Sequence, residues 1–239
     1  MMIGIELKKL KSTGFFTSFF AGGILAALVP VANTAFRTEL FTSMEGSPLS
    51  ILLDANLQMM TMLFLILIIC GACLMYHSEY ADHAMRRMLA LPLHPESLFF
   101  GKALILAAGL LFLLVLSSLS LTFCTLHWFE MPEDFFPELA RNMGFLLLLT
   151  LPTLLFMLLA ASACQNMWVS LGIGVIFMSM GTVLPEGPFL LTLVPFITPF
   201  KTFYAAGGDA GLYAVSSCAE LLLLALAACL FIRTRRYTL

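Results

Sequence analysis

Charge is scarce in this 239-residue chain, where Asp, Glu, Lys and Arg together make up only 11% of the residues. Soluble domains carry about 25%. With 61% hydrophobic residues and a mean hydropathy of +1.00, the chain has too few polar side chains to cover a water-exposed surface. A soluble globular protein is excluded. The twelve Lys and Arg residues form no stripe interleaved with aromatics, so no nucleic-acid partner is expected. Cysteine is also sparse. Cys70, Cys73, Cys124, Cys164, Cys218 and Cys229 all lie in or at the ends of apolar runs. Cys70 and Cys73 have CxxC spacing but lack a second pair or a strand–helix context, so they read as small buried residues. Of the four histidines, His77 and His83 are six apart, which separates them around a helix and argues against zinc. There is no H-E-x-x-H, no G-x-S-x-G and no pair of glutamates within one span. Gly101-Lys102 does not close a phosphate-binding loop, because Glu96 stands where the first glycine would be needed. No enzyme chemistry is legible, and neither a metal nor a cofactor is expected in this chain.

What the sequence does have is apolar length. Six segments approach the roughly 20 residues that cross a bilayer as a helix: 15–35, 57–76, 101–124, 143–163, 168–184 and 211–232. The expected fold is therefore an all-α integral membrane protein, one domain over 1–239 with six transmembrane helices. Lys8, Lys9, Lys11, Arg86, Arg87, Lys102, Arg233, Arg235 and Arg236 fall on one side of that arrangement. Nine of twelve basic residues on one side make it the cytoplasmic one, with both termini inside the cell membrane. Arg37, Arg141 and Lys201 fall outside.

Residues 1–12 read as a short interfacial helix. Ile3, Leu7 and Leu10 share one face, while Lys8, Lys9 and Lys11 suit an anionic lipid surface. A signal peptide is the weaker reading, since the next apolar run is long and no A-x-A site closes it.

The one long polar interruption with basic character is 76–102, YHSEYADHAMRRMLALPLHPESLFFGK. It reads as a cytoplasmic loop between spans two and three. Ala81, Met85, Met88 and Leu89 gather on one helical face, and Glu79–His83 and Asp82–Arg86 are four apart, where helical side chains meet. Pro92 would stop that helix, and Pro95-Glu96 suits the start of the next. Two readings stand: a docking element, or a solvated loop whose charges only keep it out of lipid.

Glu79, then Arg86-Arg87, then Met88-Leu89-Ala90-Leu91-Pro92, then Gly101-Lys102 resembles a signature of ABC-2 type transporter permeases. Chain length and short loops most resemble the lantibiotic and bacteriocin immunity and export branch. Asp82-His83 replaces a glycine common after the glutamate, and His94-Pro95-Glu96 replaces a basic residue common after the proline. The resemblance implies an N-terminal elbow helix over 1–12 and a cytoplasmic coupling segment over 77–100. It also implies an outer re-entrant hairpin over 185–211. An ABC ATPase subunit, holding the ATP and Mg, would dock on Glu79, Asp82, Arg86, Arg87, Met88 and Leu89. A second permease subunit, identical or homologous, would complete the pathway.

The remaining segments offer fewer signals. The outer loops are acidic, with Glu39, Glu45 and Asp54 in the first and Glu130, Glu133, Asp134 and Glu138 in the second, beside Phe135 and Phe136 taken as exposed. Such a surface suits a cationic peptide; equally, acids collect wherever basic residues are kept out. Gln165-Asn166 makes a tight turn between spans four and five, and Gly172, Gly174 and Gly181 suit close helix approach. Pro152 can kink span four. Four prolines break 185–211, placing Phe196, Phe200, Phe203 and Tyr204 near the headgroups. Glu220 is the one carboxylate well inside a span. Ser216 and Ser217 can hydrogen-bond it, and both a structural bond and a substrate or inter-helix contact remain open. The expectation is a permease subunit of an ATP-driven ABC transporter, surrounded by membrane lipid, expelling a hydrophobic or cationic peptide. A secondary transporter and a non-transporting scaffold are the rivals.

Overall fold

The computed structural model describes residues 2–11, 13–81, 95–184 and 194–235. Those residues form helices joined by short turns, with no strand among them. The helices are α1 (Met2–Leu10), α2 (Phe15–Phe36), α3 (Thr38–Thr42), α4 (Pro48–Ala81) and α5 (Pro95–Trp128). They continue with α6 (Phe135–Ala163), α7 (Met167–Val183), α8 (Phe203–Ala206) and α9 (Ala210–Arg235). Five stretches are long and apolar enough to span a membrane: Phe15–Phe36, Pro48–Tyr80, Glu96–Trp128, Phe135–Ala163 and Phe203–Thr234. The chain is therefore a multi-pass, all-helical membrane protein. α7 is equally apolar but has 17 residues, a rise of roughly 25 Å against a hydrocarbon core of about 30 Å.

The second and third expected spans prove longer than their apolar cores. α4 begins at Pro48 rather than 57, so Asp54 lies on a helix instead of a loop, and α4 runs on through Glu79 to Ala81. α5 starts at Pro95, placing Lys102 two turns inside a helix. Backbone hydrogen bonds explain the extension, because a helix entering the interface satisfies its own N–H and C=O groups whatever its side chains.

α4 and α6 form the centre of the bundle, and α2 and α9 lie outermost. α2 packs on α4 and α5, and Asn33 Nδ2 donates to buried Asn56 Oδ1 at 2.8 Å to tie α2 to α4. Such polar bonds hold helices where lipid removes the hydrophobic drive. Gly14, in the left-handed region at φ 77°, turns the chain from α1 into α2. Tyr80 Oη donates to the Ser162 carbonyl at 2.5 Å, and Arg233 Nε to Glu96 Oε1 at 2.5 Å. These contacts gather one end of α4, α5, α6 and α9, with Lys102, at a common level. At the other end Tyr204 Oη donates to Glu138 Oε2 at 2.9 Å. The hairpin between α6 and α7 is tight. There Asn166 Oδ1 accepts from Trp168 N–H at 3.0 Å.

Residues 194–200 insert between α4, α6 and α7. Phe196 is fully buried, with its ring 5.6 Å from those of Phe156 and Phe177, rather than among the headgroups. Thr61 Oγ1 donates to the Pro199 carbonyl at 3.4 Å, and Thr153 Oγ1 donates to that of Pro195. Residues 185–193, the first part of the expected hairpin, lie outside the described residues.

Gly181 is what lets this segment in. A Cβ there would sit 2.2 Å from the Phe196 carbonyl oxygen, whereas one at Gly172, expected at a close approach, meets nothing within 4 Å. Gly181→Ala should therefore destabilise by about 1–3 kcal/mol, read as a lower thermal unfolding midpoint in detergent. Gly172→Ala should leave it unchanged, and equal midpoints for the two variants would refute this packing.

Candidate functional site

A buried cluster of charge joins α1, α4 and α5 where the chain enters and leaves residues 82–94. Lys102 Nζ donates to Glu6 Oε2 at 2.6 Å and to Glu79 Oε1 at 2.7 Å. Lys9 Nζ donates to Glu6 Oε1 at 3.0 Å and stands 3.6 Å from Glu79 Oε1. The Lys102 ammonium also lies 5.4 Å from the Tyr76 ring centroid, within cation–π range. Lys102 is 1% exposed, and Glu6 and Glu79 are each 4% exposed.

Helical spacing builds the cluster. On α1, Glu6, Lys9 and Leu10 stand at i, i+3 and i+4, so one face turns inward while Lys8 and Leu7 stay exposed. On α4, Tyr76 and Glu79 are one turn apart, and on α5 so are buried Phe99 and Lys102. Two carboxylates and two ammonium groups cancel. Burial alone would push the Glu6 carboxyl up, but the Lys102 charge and the hydrogen bonds from Lys102 and Lys9 outweigh it. The group titrates below its ordinary value and is ionised at neutral pH. Such a cluster can do no covalent chemistry. What it can do is transmit force, because moving α4 or α5 alone parts Glu79 from Lys102 and leaves a buried charge without its closest partner.

Glu79, expected to dock the ATPase, is buried, paired with Lys102 and 3.6 Å from Lys9. Glu6 was missed altogether, although it is the one acid among the first eleven residues and stands three before Lys9. Asp82, Arg86, Arg87, Met88 and Leu89 lie outside the described residues.

At the other end, Glu130, Glu133 and Asp134 are exposed, whereas Glu138 is half-buried against Tyr204. Phe136 is 61% exposed, but Phe135 is fully buried, contrary to expectation. Nearby, Asp54 borders two hollows, one of about 180 Å³ with Gln58, Thr182 and Thr202, the other of about 460 Å³ with Glu45 and Ser50. Thr202 Oγ1 lies 3.4 Å from Asp54 Oδ1. Within α9, Ser216 donates to the Tyr213 carbonyl at 2.9 Å instead of to Glu220. Ser217 Oγ and both Glu220 oxygens are buried without a hydrogen-bond partner among the described residues. Those residues include no group of His, Cys, Asp and Glu side chains placed to hold a metal ion.

Lys102→Met should expose the strength of the cluster. Removing one partner of a buried pair costs about 3–5 kcal/mol, so the thermal midpoint in detergent should fall clearly. Combining it with Glu6→Gln and Glu79→Gln should recover much of the loss, since the one charge left, on Lys9, is 31% exposed and reaches water. A Lys102→Met protein as stable as wild type would show that the cluster does not hold these helices together.

The chain matches the family model "ABC-2 family transporter protein" over residues 2–181, which takes in α1 through most of α7 and all four charged side chains of the cluster. No curated protein and no solved structure matches it. Membership implies an ABC transporter permease, a non-catalytic membrane subunit with an ABC ATPase as partner. On the strength of that match the chain belongs to the ABC-2 family of transporter proteins.

Proposed function

We propose that this chain is the membrane-spanning half of an ATP-driven exporter that expels a hydrophobic or cationic peptide, as in lantibiotic and bacteriocin immunity. The observation that carries the mechanism is the Lys102 clamp. Residues 82–94 leave α4 three residues after Glu79 and rejoin the chain at α5, seven residues before Lys102. A push on that segment is therefore delivered to two long helices and, through Glu6, to α1 at once. Asp82, Arg86, Arg87, Met88 and Leu89 meet the ATPase in this reading, while Glu79 transmits rather than docks. ATP shifts the permease only if the segment binds the open and closed ATPase dimers unequally.

In this reading α7 is the sixth crossing, short but continued by the inserted residues 194–200. The basic end faces the cytoplasm with both termini, consistent with Lys8, Lys9, Lys11, Lys102 and Arg233 lying at one level. A second permease chain, identical or homologous, faces this one across the pathway. The opposite end carries Glu45, Asp54, Glu130, Glu133 and Asp134, and this excess of acid supports a cationic substrate at the exit.

Docking is tested by copurification with the coexpressed ABC ATPase. An Arg86→Glu/Arg87→Glu/Met88→Glu variant should retain at least about tenfold less ATPase, a loss of about 1.4 kcal/mol. Undiminished retention would place the contact elsewhere. The substrate is tested in a sensitised host at equal expression of both chains. Glu130→Gln/Glu133→Gln/Asp134→Asn should lower protection against a cationic amphipathic peptide by about tenfold while sparing ATPase copurification. Unchanged protection would remove the acidic surface from peptide capture.

A further inference from the structure

On the outside of the bundle, α1, α2 and α5 enclose an open apolar groove of about 670 Å³. Leu7, Phe16, Phe20, Leu104, Ala108 and Phe112 supply its walls, and Thr17 is its one polar side chain. Its size falls within the roughly 300–1,000 Å³ of small-molecule pockets. Phe16 and Phe20 are 46% and 58% exposed, so these rings are not consumed by the protein's own core. Phe20 stacks on Phe112 with centroids 6.4 Å apart, closing one end of the groove. At its other end lies α1. Lys11 follows Leu7 by one turn, its N–H bonded to the Leu7 carbonyl at 3.2 Å. Lys8 and Lys11 are both exposed, and neither has an ion-pair partner among the described residues.

An apolar slot that opens sideways towards the bilayer, with two unpaired ammonium groups at the level of its interface, has the chemistry of a phospholipid site. We propose that the groove holds one acyl chain of an anionic phospholipid whose phosphate rests against Lys8 and Lys11. A second copy of this chain fits less well, because a two-fold contact would bring the same lysines face to face. A cationic peptide would be repelled by the same residues and would find only Thr17 to bond its backbone. The bound lipid presses α1 from outside while Lys102 holds Glu6 from inside, so the elbow helix is fastened on both sides.

Native mass spectrometry of the purified full chain, titrated with phosphatidylglycerol or phosphatidylcholine, tests it. Wild type should retain one phosphatidylglycerol more tightly than phosphatidylcholine. Lys8→Gln/Lys11→Gln should weaken phosphatidylglycerol binding by about tenfold and leave phosphatidylcholine unchanged, given the attraction of each basic residue for an anionic surface. Ala108→Trp, or Thr17→Trp if the first fails to fold, should weaken both lipids by filling the slot. Undiminished phosphatidylglycerol binding in the lysine variant would overturn the proposal, as would competition by inorganic phosphate alone. A groove-filled variant that keeps its lipid but loses a dimer would assign the groove to a second copy instead.

Discussion

A lysine ammonium that is 1% exposed has to be surrounded by opposite charge, and that requirement organises one end of this protein. Lys102 meets it with carboxylates from two other helices, Glu6 of α1 and Glu79 of α4. Buried ion pairs give little net stability compared with an apolar core, yet separating one is expensive. The cluster thus acts less as glue than as a constraint on which movements are permitted. Helices α4 and α5 can shift together; parting them separates Glu79 from Lys102.

The opposite end is held by different means. Residues 194–200 enter the bundle carrying Phe196, and Thr61 and Thr153 donate to carbonyls that the proline-rich backbone cannot satisfy in a helix. This end is aromatic and hydroxyl-bonded. The acids around it, Glu45, Asp54, Glu130, Glu133 and Asp134, are exposed and carry their charge in water. One end is internally neutral, the other acidic.

Glu220 fits neither end. It sits within α9, the outermost of the long helices, with both oxygens sequestered and no partner among the described residues. Ser216 and Ser217 adjoin it in sequence, but Ser216 spends its hydroxyl on the Tyr213 carbonyl. A carboxyl so placed is costly in a membrane helix.

The fold class was legible because a bilayer admits so few backbones: apolar runs of sufficient length must be helices, and 239 residues at a mean hydropathy of +1.00 leave no other solution. The order of the helices, the hairpin at Gln165-Asn166 and the family could all be read in linear order. Helix ends could not, since hydropathy marks where lipid begins and backbone bonding carries α4 to Ala81 and starts α5 at Pro95. Phe135 read as exposed and Phe196 as a headgroup-level aromatic because sequence shows a side chain's chemistry but not what packs over it. Least visible was the cluster itself. Glu6, Glu79 and Lys102 are separated by 73 and 23 positions, and only the packing of three helices brings their charges within 3 Å. The chain alone settled that this protein is a membrane helix bundle of the ABC-2 kind. Tertiary structure alone decided which charges are partners, because pairing depends on distance in space, and a helix bundle fixes that distance without regard to position in the chain.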